Sequence, residues 1–366
     1  MAKDIHADKF AKNTIDKLFL YGKYLEEALP VFIEKDDIRE IHVYDFFAGP
    51  GRTDMDEEGS PIIAARAIAK SLQNPHAGKT VFLHLNELNK NKCERLKKCV
   101  DEEIRALLPD VSVIVTNYPF QEAFSKELPA MQGIGRANVI FIDQYGLKEV
   151  SQKIFRQLCL LWYTDFLFFL ASSTANRFKD DYENVWKYLP AVSDDKKSMM
   201  NGRNVHRMIA KAYHAWIPPN ARCFLGNFSF KKEANVYGLV FGSGSPKGLE
   251  KFLKLAWKMA EEYGGQADYD IDGDGIDKKQ DMLFNLPLTK ILTYNAELEN
   301  LILCGSIKTN KDVYIHALLF GVLPEHARKA IKALKAKGKI KNSRLSVSFD
   351  AWKANEVQEI EIEDRK

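Results

Sequence analysis

The chain has 366 residues, of which 46% are hydrophobic and 11% aromatic, enough to build a large packed core. Its formal net charge is only +3, so total charge says little about partners, and its five cysteines lack the CxxC spacing of a zinc site or disulfide framework. No apolar run approaches the roughly 20 residues that span a bilayer, and the N-terminus lacks an apolar signal segment, so we expect a soluble cytoplasmic protein.

The first half of the chain alternates predicted helices with buried strands. Apolar residues at three- and four-residue steps predict a helix from Ile15 to Phe32. Five apolar runs then predict strands: IHVYDFFAG from Ile41, TVFLHLNE from Thr80, VSVIVTNYPF from Val111, ANVIFIDQYG from Ala137 and DFLFFLASS from Asp165. Strands that alternate with helices indicate a doubly wound parallel sheet.

A predicted hairpin completes this sheet. The segment RCFLGNFSFKKEANVYGLVFGS holds two strand-like runs around a polar turn. Five parallel strands and a closing hairpin fit a Rossmann-like, seven-stranded methyltransferase sheet. We therefore predict an α/β methyltransferase-like domain over residues 1–264 with a mostly helical insert at 177–222. A polar linker (265–285), a small winged-helix-like basic domain (286–352) and a charged tail (353–366) are predicted to follow.

The stretch VYDFFAGPGRTD, from Val43 to Asp54, carries the first candidate site. Asp45 ends the first strand, and two glycines that let backbone approach a ligand closely come directly after it. Ligands of open α/β sheets bind outside the carboxyl ends of the strands, where Glu87 ends the second strand and can accept hydrogen bonds from ribose hydroxyls. The pattern predicts a nucleoside site; the alternative is a tight turn with incidental acids.

The negative charge of this loop indicates which nucleoside cofactor it would bind. Asp54, Asp56, Glu57 and Glu58 would repel the pyrophosphate of a dinucleotide, whereas the sulfonium and ammonium of S-adenosylmethionine suit an acidic mouth. After the third strand, an amide and an aromatic ring could contact adenine, unless they form an ordinary loop. The predicted cofactor-binding residues are Asp45, Phe47, Ala48, Gly49, Pro50, Gly51, Glu87, Asn117 and Tyr118.

The fourth strand ends in the candidate acceptor site. Asp143 can accept hydrogen bonds from an exocyclic amine while Tyr145 stacks on the base, and Gln144 adds its own amide; the alternative is an aspartate that caps the next helix. Beyond the fifth strand, Asn176 and Arg177 are predicted to contact substrate, although the arginine could equally pair with the acidic loop. We predict no metal site and interpret DYDIDGDGIDKKQD as a linker rather than a calcium loop.

Positive charge is concentrated near the C-terminus. Residues 306–345 hold ten Lys and Arg against two acids, a net charge of +8, in a helix–turn–helix pattern followed by the predicted wing KIKNSRLSVSF. This predicts binding to a nucleic-acid backbone. The alternative is a solvated lysine-rich face on a packing module. The predicted nucleic-acid contacts are His326, Arg328, Lys329, Lys332 and Lys335.

Several segments resemble the three-Cys-motif partner protein (TcmP) family of the class I S-adenosylmethionine-dependent methyltransferase-like superfamily. They are YLEEALPVF, YDFFAGPGR, GSPIIAARA, FLHLNE, FIDQYG, ASSTANRF and DVYIHALLFGVLPEHARKAIKALKAKGKI. The resemblance implies a methyltransferase-like fold, S-adenosylmethionine binding and a partner protein with the three-cysteine motif, in mobile-element or phage-related settings. The chain departs from the family's D-P-[FY]-G at Gln144, which bears on target choice and on activity itself.

These features together predict an S-adenosylmethionine-dependent methyltransferase that acts on a base amine of DNA or RNA and is anchored by a basic winged helix. One alternative is a catalytically inactive, methyltransferase-like DNA-binding partner protein in a phage-related or defence system. Another is a methyltransferase of small molecules or proteins whose basic tail only docks.

Overall fold

The computed structural model describes residues 12–73, 78–144, 149–171, 212–232, 235–262, 290–341 and 344–363. Tyr145, Asn176, Arg177, the predicted linker at 265–285 and the calcium-like stretch within it lie outside the described residues, as does most of the predicted insert. The chain forms two compact units, Met1–Cys223 with Phe230–Ser245, and Phe224–Ser229 with Pro246–Lys366.

The elements follow one another in the predicted alternation. The first unit contains α1 (Lys12–Ile33), β1 (Glu40–Asp45), α2 (Ser60–Ser71), β2 (Thr80–Asn86), α3 (Lys90–Cys99), a π-helical turn (Val100–Ile104), α4 (Arg105–Leu107), β3 (Ser112–Thr116), α5 (Phe120–Met131), β4 (Arg136–Ile142), α6 (Gln152–Leu160) and β5 (Thr164–Ala171). Next come β6 (Phe224–Lys232), β7 (Asn235–Ser243), α7 (Pro246–Glu262), α8 (Lys290–Leu303), α9 (Asn310–Phe320), α10 (Pro324–Ala336) and α11 (Phe349–Lys353).

Seven strands form one sheet in the order β3-β2-β1-β4-β5-β7-β6. The ladders from β3 to β5 are parallel, and β7 runs antiparallel to β5 from Asp165↔Ser243 to Ala171↔Tyr237. Strands β1 and β4 are buried beyond their first residue, as expected where helices cover both sheet faces. The predicted seven-stranded α/β sheet is therefore confirmed.

Helix α1 packs against β4 near its carboxyl end and against β5 near its start. Its Tyr21 ring stacks on Phe141 with ring centroids 4.0 Å apart, and the Tyr24 hydroxyl donates a 2.6 Å hydrogen bond to the Asp165 carboxylate. Because residues four apart share a helix face, the same face also carries Lys17. Packing of two buried tyrosines thus fixes which α1 side chains reach the sheet edge.

The turn after β1 needs its glycines for conformation and for space. Gly49 and Gly51 have φ of +64° and +87°, a region that side chains with a Cβ rarely adopt. A Cβ on Gly51 would also lie 2.6 Å from the Cys99 sulfur. Glycine at position 51 is therefore required by its neighbour as well as by its backbone.

In the second unit, helices α9 and α10 form the predicted helix–turn–helix. A capping box between Thr309 and Asp312 begins α9, which ends at Gly321 with φ of +87°. The predicted wing differs: Ile340 forms an antiparallel bridge with Ile362 of the tail, whereas no bridge joins the described residues of KIKNSRLSVSF to one another. The tail thus pairs with Ile340 where the wing was expected to pair, and the winged helix itself stays a prediction.

Candidate nucleoside site at the carboxyl edge of the sheet

Three carboxylates gather at one edge of the sheet. Asp45 ends β1 and lies opposite Leu85 of β2 and Phe141 of β4 in the two flanking ladders. Glu87 and Asp143 each lie two residues beyond those partners. Because the three strands are parallel, the three acidic side chains emerge at the same carboxyl edge, as the sequence predicted.

Asp45 is the buried member of this group, with 1% of its surface exposed. Burial raises the pKa of its carboxyl group to about 7, hydrogen bonds from the Ser60 hydroxyl and the Phe47 amide oppose the rise, and the charges of Asp143 and Glu87 add to it. The site therefore holds an excess of negative charge near neutral pH, and a cation placed beside Asp45 would favour its ionised form.

Glu87 joins the end of β2 to the glycine turn. One carboxylate oxygen accepts a 3.0 Å hydrogen bond from the Gly49 amide, and the other accepts a 2.7 Å hydrogen bond from the Asn89 amide. A carboxylate offers about four lone-pair positions, so both oxygens can still accept bonds from ribose hydroxyls. The turn residues Ala48, Gly49, Pro50 and Gly51 are buried, and the half-buried Phe47 packs 5.4 Å from the Phe120 ring.

The residues after β3 have different surroundings. Asn117 uses its side-chain amide to donate to the carbonyls of Glu87 and Leu88, the latter at 2.8 Å, which leaves its amide oxygen as a potential acceptor. Tyr118 is 36% exposed, and the Lys126 ammonium lies 4.8 Å from its ring centre. Leu88, which the sequence pattern did not single out, is 62% exposed directly beside Glu87. Leu88 and Tyr118 thus present apolar surface at this edge.

Asp143 is paired with a lysine that the sequence pattern did not single out either. The Lys17 ammonium lies 3.0 Å from Asp143 Oδ1, and only 12% of the lysine side chain is exposed. The same ammonium lies 4.4 Å from the centre of the Phe169 ring. The available signal was the helical period, since Lys17 lies one turn before the buried Tyr21 on α1.

Gln144 is buried, and its side chain connects two segments of the chain. Its side-chain oxygen accepts hydrogen bonds from the amides of Glu149 and Val150, at 3.1 and 3.2 Å. The glutamine therefore ties the end of β4 to the segment before α6, at the position where the resembled family has proline. It does not share the exposed edge with Asp143.

A small pocket, open to solvent, extends from this edge along one sheet face beneath α5. Its polar lining includes Tyr44, His84 and Glu127. His84 Nε2 lies 3.0 Å from His42 Nδ1, and burial lowers the pKa of His42 to about 4. The other end of this histidine pair faces Glu40, whose carboxylate lies 3.2 Å from His42 Nε2. The face below the site is thus unusually polar.

The predicted nucleic-acid residues of α10 divide into two groups. His326 Nδ1 accepts a hydrogen bond from the Leu323 amide and its ring lies 4.6 Å from that of Trp257, while Arg328 donates to the Val347 carbonyl at 2.9 Å. These two side chains are used within the unit. In contrast, Lys329, Lys332 and Lys335 are exposed along one side of the helix.

No family model and no curated protein matches the sequence. A solved Legionella pneumophila protein of the family DUF519 is 12% identical, with 67% of this chain and 91% of that chain covered and a TM-score of 0.38. A putative O-methyltransferase from Klebsiella pneumoniae is 11% identical over 65% and 82%, with a TM-score of 0.34. TYW2 from M. jannaschii, solved in complex with AdoMet, is 10% identical over 66% and 78%, with a TM-score of 0.28. At these scores the similarities carry no information on substrate or cofactor.

Two features are absent from the described segments. None of their helices combines the length and the apolar character that crossing a bilayer requires. Within the same segments, no three His, Cys, Asp or Glu side chains are grouped so that they could hold a metal ion.

Proposed function

We propose that this chain is an S-adenosylmethionine-dependent methyltransferase that acts on a base amine of nucleic acid. The observation that carries the proposal is the acidic edge, where burial and the charges of Asp143 and Glu87 raise the pKa of Asp45 to about 7. Such an edge favours a ligand with positive charge and disfavours a pyrophosphate. S-adenosylmethionine has a sulfonium and an ammonium, and it would supply the electrophilic methyl group.

The residues present fit this cofactor in four respects. Glu87 would accept from the ribose hydroxyls, and the amide oxygen of Asn117 would accept from the adenine amine. Leu88 and Tyr118 would contact the two faces of the base. The glycine turn, with Gly49 as its best-placed member, would allow the backbone to approach the ligand without a Cβ in between.

At the acceptor side, Asp143 is the residue that we propose to hold the target amine. Oδ1 faces Lys17, so Oδ2 is the oxygen that would accept a hydrogen bond from the amine and orient its lone pair towards the methyl group. Tyr145 is proposed to stack on the target base. Asn176 and Arg177 are proposed to contact its phosphate.

Nucleic-acid binding is proposed for the exposed lysines of α10. Lys329, Lys332 and Lys335 present three ammonium groups on one side of a helix whose other side is buried through Ala327, Ile331 and Leu334. Lysines of this kind neutralise phosphates with little base specificity. His326 and Arg328 would then position α10 rather than contact the nucleic acid.

The test begins with binding. Calorimetry of the full chain should show micromolar or tighter affinity for S-adenosylhomocysteine and none for NAD⁺, because the acidic edge repels the pyrophosphate. Transfer of a radiolabelled methyl group to DNA, tRNA and total protein should then label nucleic acid, and Asp143→Ala should abolish the label while S-adenosylhomocysteine still binds. Absence of nucleoside binding, or label on protein alone, would contradict the proposal.

A second candidate function has two observations in its favour. Asp143 is already paired with Lys17, and Gln144 replaces the proline of the resembled family. Both observations are compatible with a catalytically inactive chain that binds nucleic acid together with a protein that bears the three-cysteine motif. It predicts nucleic-acid retention without transfer of label to any acceptor.

A further inference from the structure

The acidic edge accounts for only part of the proposed cofactor. S-adenosylmethionine ends in an α-amino acid, so it carries a carboxylate as well as its two positive charges. Asp45, Glu87 and Asp143 would all repel that carboxylate. A site for the whole cofactor therefore needs a positive group at the same edge.

Lys17 brings such a group to the edge. Its ammonium lies 3.0 Å from Asp143 Oδ1, and the charge of Asp143 in turn raises the pKa of the buried Asp45. The two contacts place Lys17 in the same electrostatic neighbourhood as the glycine turn. An ammonium has three N–H donors, so it can hold Asp143 and a second carboxylate together.

Packing fixes the position of the Lys17 side chain. The lysine side chain is only 12% exposed, and its ammonium lies 4.4 Å from the Phe169 ring centre. One helical turn later, Tyr21 is 1% exposed and stacks on Phe141. Because the same face of α1 holds both residues, the ammonium lies at the end of β4 even when no ligand is bound. This preorganisation lowers the entropic cost of binding.

The ammonium of Lys17 is chemically complementary to an α-carboxylate, and its pairing with Asp143 Oδ1 leaves Asp143 Oδ2 for the proposed acceptor amine. We propose that Lys17 binds the α-carboxylate of the cofactor's amino acid and so makes the site specific for nucleosides that carry a complete amino acid. This inference rests on the proposed function and adds a specificity residue on α1 to it.

Two ligands that differ by one group provide the test. S-adenosylhomocysteine has the α-carboxylate, and its decarboxylated analogue keeps the amine, the thioether and the nucleoside but lacks the carboxylate. By calorimetry on the full chain, Lys17→Met should weaken S-adenosylhomocysteine binding about tenfold to a hundredfold, the range for loss of one charge-assisted hydrogen bond. The same variant should change affinity for the decarboxylated analogue by less than about threefold.

Two control variants separate charge from folding. Lys17→Arg keeps a cation on α1 and should retain most of the preference for S-adenosylhomocysteine. Lys23→Met removes a half-exposed lysine of the same helix, which lies 3.1 Å from Glu26, and should leave both affinities unchanged. Thermal unfolding of each variant without ligand would identify a folding defect.

The outcomes distinguish this inference from the proposed function. If Lys17→Met weakens both ligands equally, or neither, Lys17 does not bind the carboxylate, although the cofactor proposal stands. If the native chain binds neither ligand, the cofactor proposal fails and this inference fails with it. A selective loss for S-adenosylhomocysteine supports both.

Discussion

At the scale of single residues, the main feature of the site is the buried carboxyl group of Asp45. Burial at a strand end raises the pKa of the Asp45 carboxyl group to about 7, and the nearby charges of Asp143 and Glu87 add to the rise. Such a group changes ionisation in the neutral range, where an ordinary aspartate does not. Ligand charge and solution pH are therefore linked through Asp45.

This linkage predicts a pH-dependent affinity. A cation binds the ionised form of Asp45, so S-adenosylmethionine should bind about tenfold more weakly at pH 6 than at pH 8, with proton release on binding at the lower pH. Titration calorimetry in buffers of different ionisation enthalpy measures both quantities. Asp45→Asn should remove the pH dependence, and a native affinity that is constant from pH 6 to pH 8 would contradict the assignment.

A second residue-scale prediction concerns His42. Burial lowers its pKa to about 4 in the folded chain, so the unfolded chain binds more protons as the pH falls below about 6.5. The free energy of unfolding should therefore decrease by about 2 to 3 kcal/mol from this group as the pH falls from 6.5 to 4. Urea denaturation at intervals of half a pH unit measures the slope.

His42→Phe provides the comparison for that slope. The ring would still stack on Phe82, whose centroid lies 4.5 Å from that of His42, but it could not take up a proton. We expect a lower unfolding free energy at pH 7, because His84 and Glu40 lose a partner, and a shallower acid dependence. An unchanged slope in the variant would show that other groups cause the acid sensitivity.

At the scale of elements, the β1–α2 turn shows why local pattern and long-range packing must both be known. The glycines at 49 and 51 could be recognised in the sequence as backbone devices, but the contact between Gly51 and Cys99 of α3 could not. The turn touches a helix residue that lies almost fifty positions further along the chain. The sequence therefore indicated the conformation of the turn but not the close approach of Gly51 to Cys99.

Gly51→Ala should be strongly destabilising for both reasons. The new methyl would lie 2.6 Å from the Cys99 sulfur, on a backbone with φ of +87°. We expect a loss of about 2 to 4 kcal/mol in unfolding free energy, from backbone strain and overpacking together. Gly78→Ala is the matched control, since φ is +77° and nothing lies within 4 Å of the added Cβ.

That control should lose only the backbone part, about 1 kcal/mol. Chemical denaturation of the two variants gives the difference directly. Equal losses of unfolding free energy would mean that the Cys99 side chain moves aside without cost. Glycine at position 51 would then be required by its backbone conformation alone.

The same division between local and distant information explains what could be predicted of the site. Asp45, Glu87 and Asp143 end or follow buried strands, so strand periodicity and parallel topology were enough to place them at one edge. Lys17 and Leu88 reach that edge through the packing of α1 and the direction of an exposed loop. The helical period places Lys17 on the buried face of α1, but that face cannot be assigned to a sheet edge before the sheet order is known, and Leu88 has no local signal.

At the scale of the whole molecule, the acidic tail lies beside part of the basic segment 306–345. Lys341 donates its amide to the Glu361 carbonyl, and Glu363 donates to the Lys339 carbonyl, which sets lysines and glutamates opposite each other. Lys329, Lys332 and Lys335 of α10 are exposed, so we expect phosphate binding to be concentrated on this helix.

Salt dependence of binding should reveal that concentration. Replacing Lys329 and Lys332 by alanine should reduce the slope of log affinity against log salt by about 2 units for duplex DNA, one for each phosphate that is no longer neutralised. The control pair Lys97→Ala and Lys98→Ala lies on α3 of the other unit and should leave the slope unchanged. Equal slopes for native chain and α10 variant would show that phosphates bind elsewhere.

The bridged tail also determines how the C-terminus can be handled. Four main-chain hydrogen bonds join residues 358–363 to Lys308, Asn310, Lys339 and Lys341. Shortening the chain to residue 357 would remove all four bonds and the bridge between Ile340 and Ile362. Removal of this acidic segment would therefore loosen the start of α9, where the Asn310 amide donates to the Gln358 carbonyl.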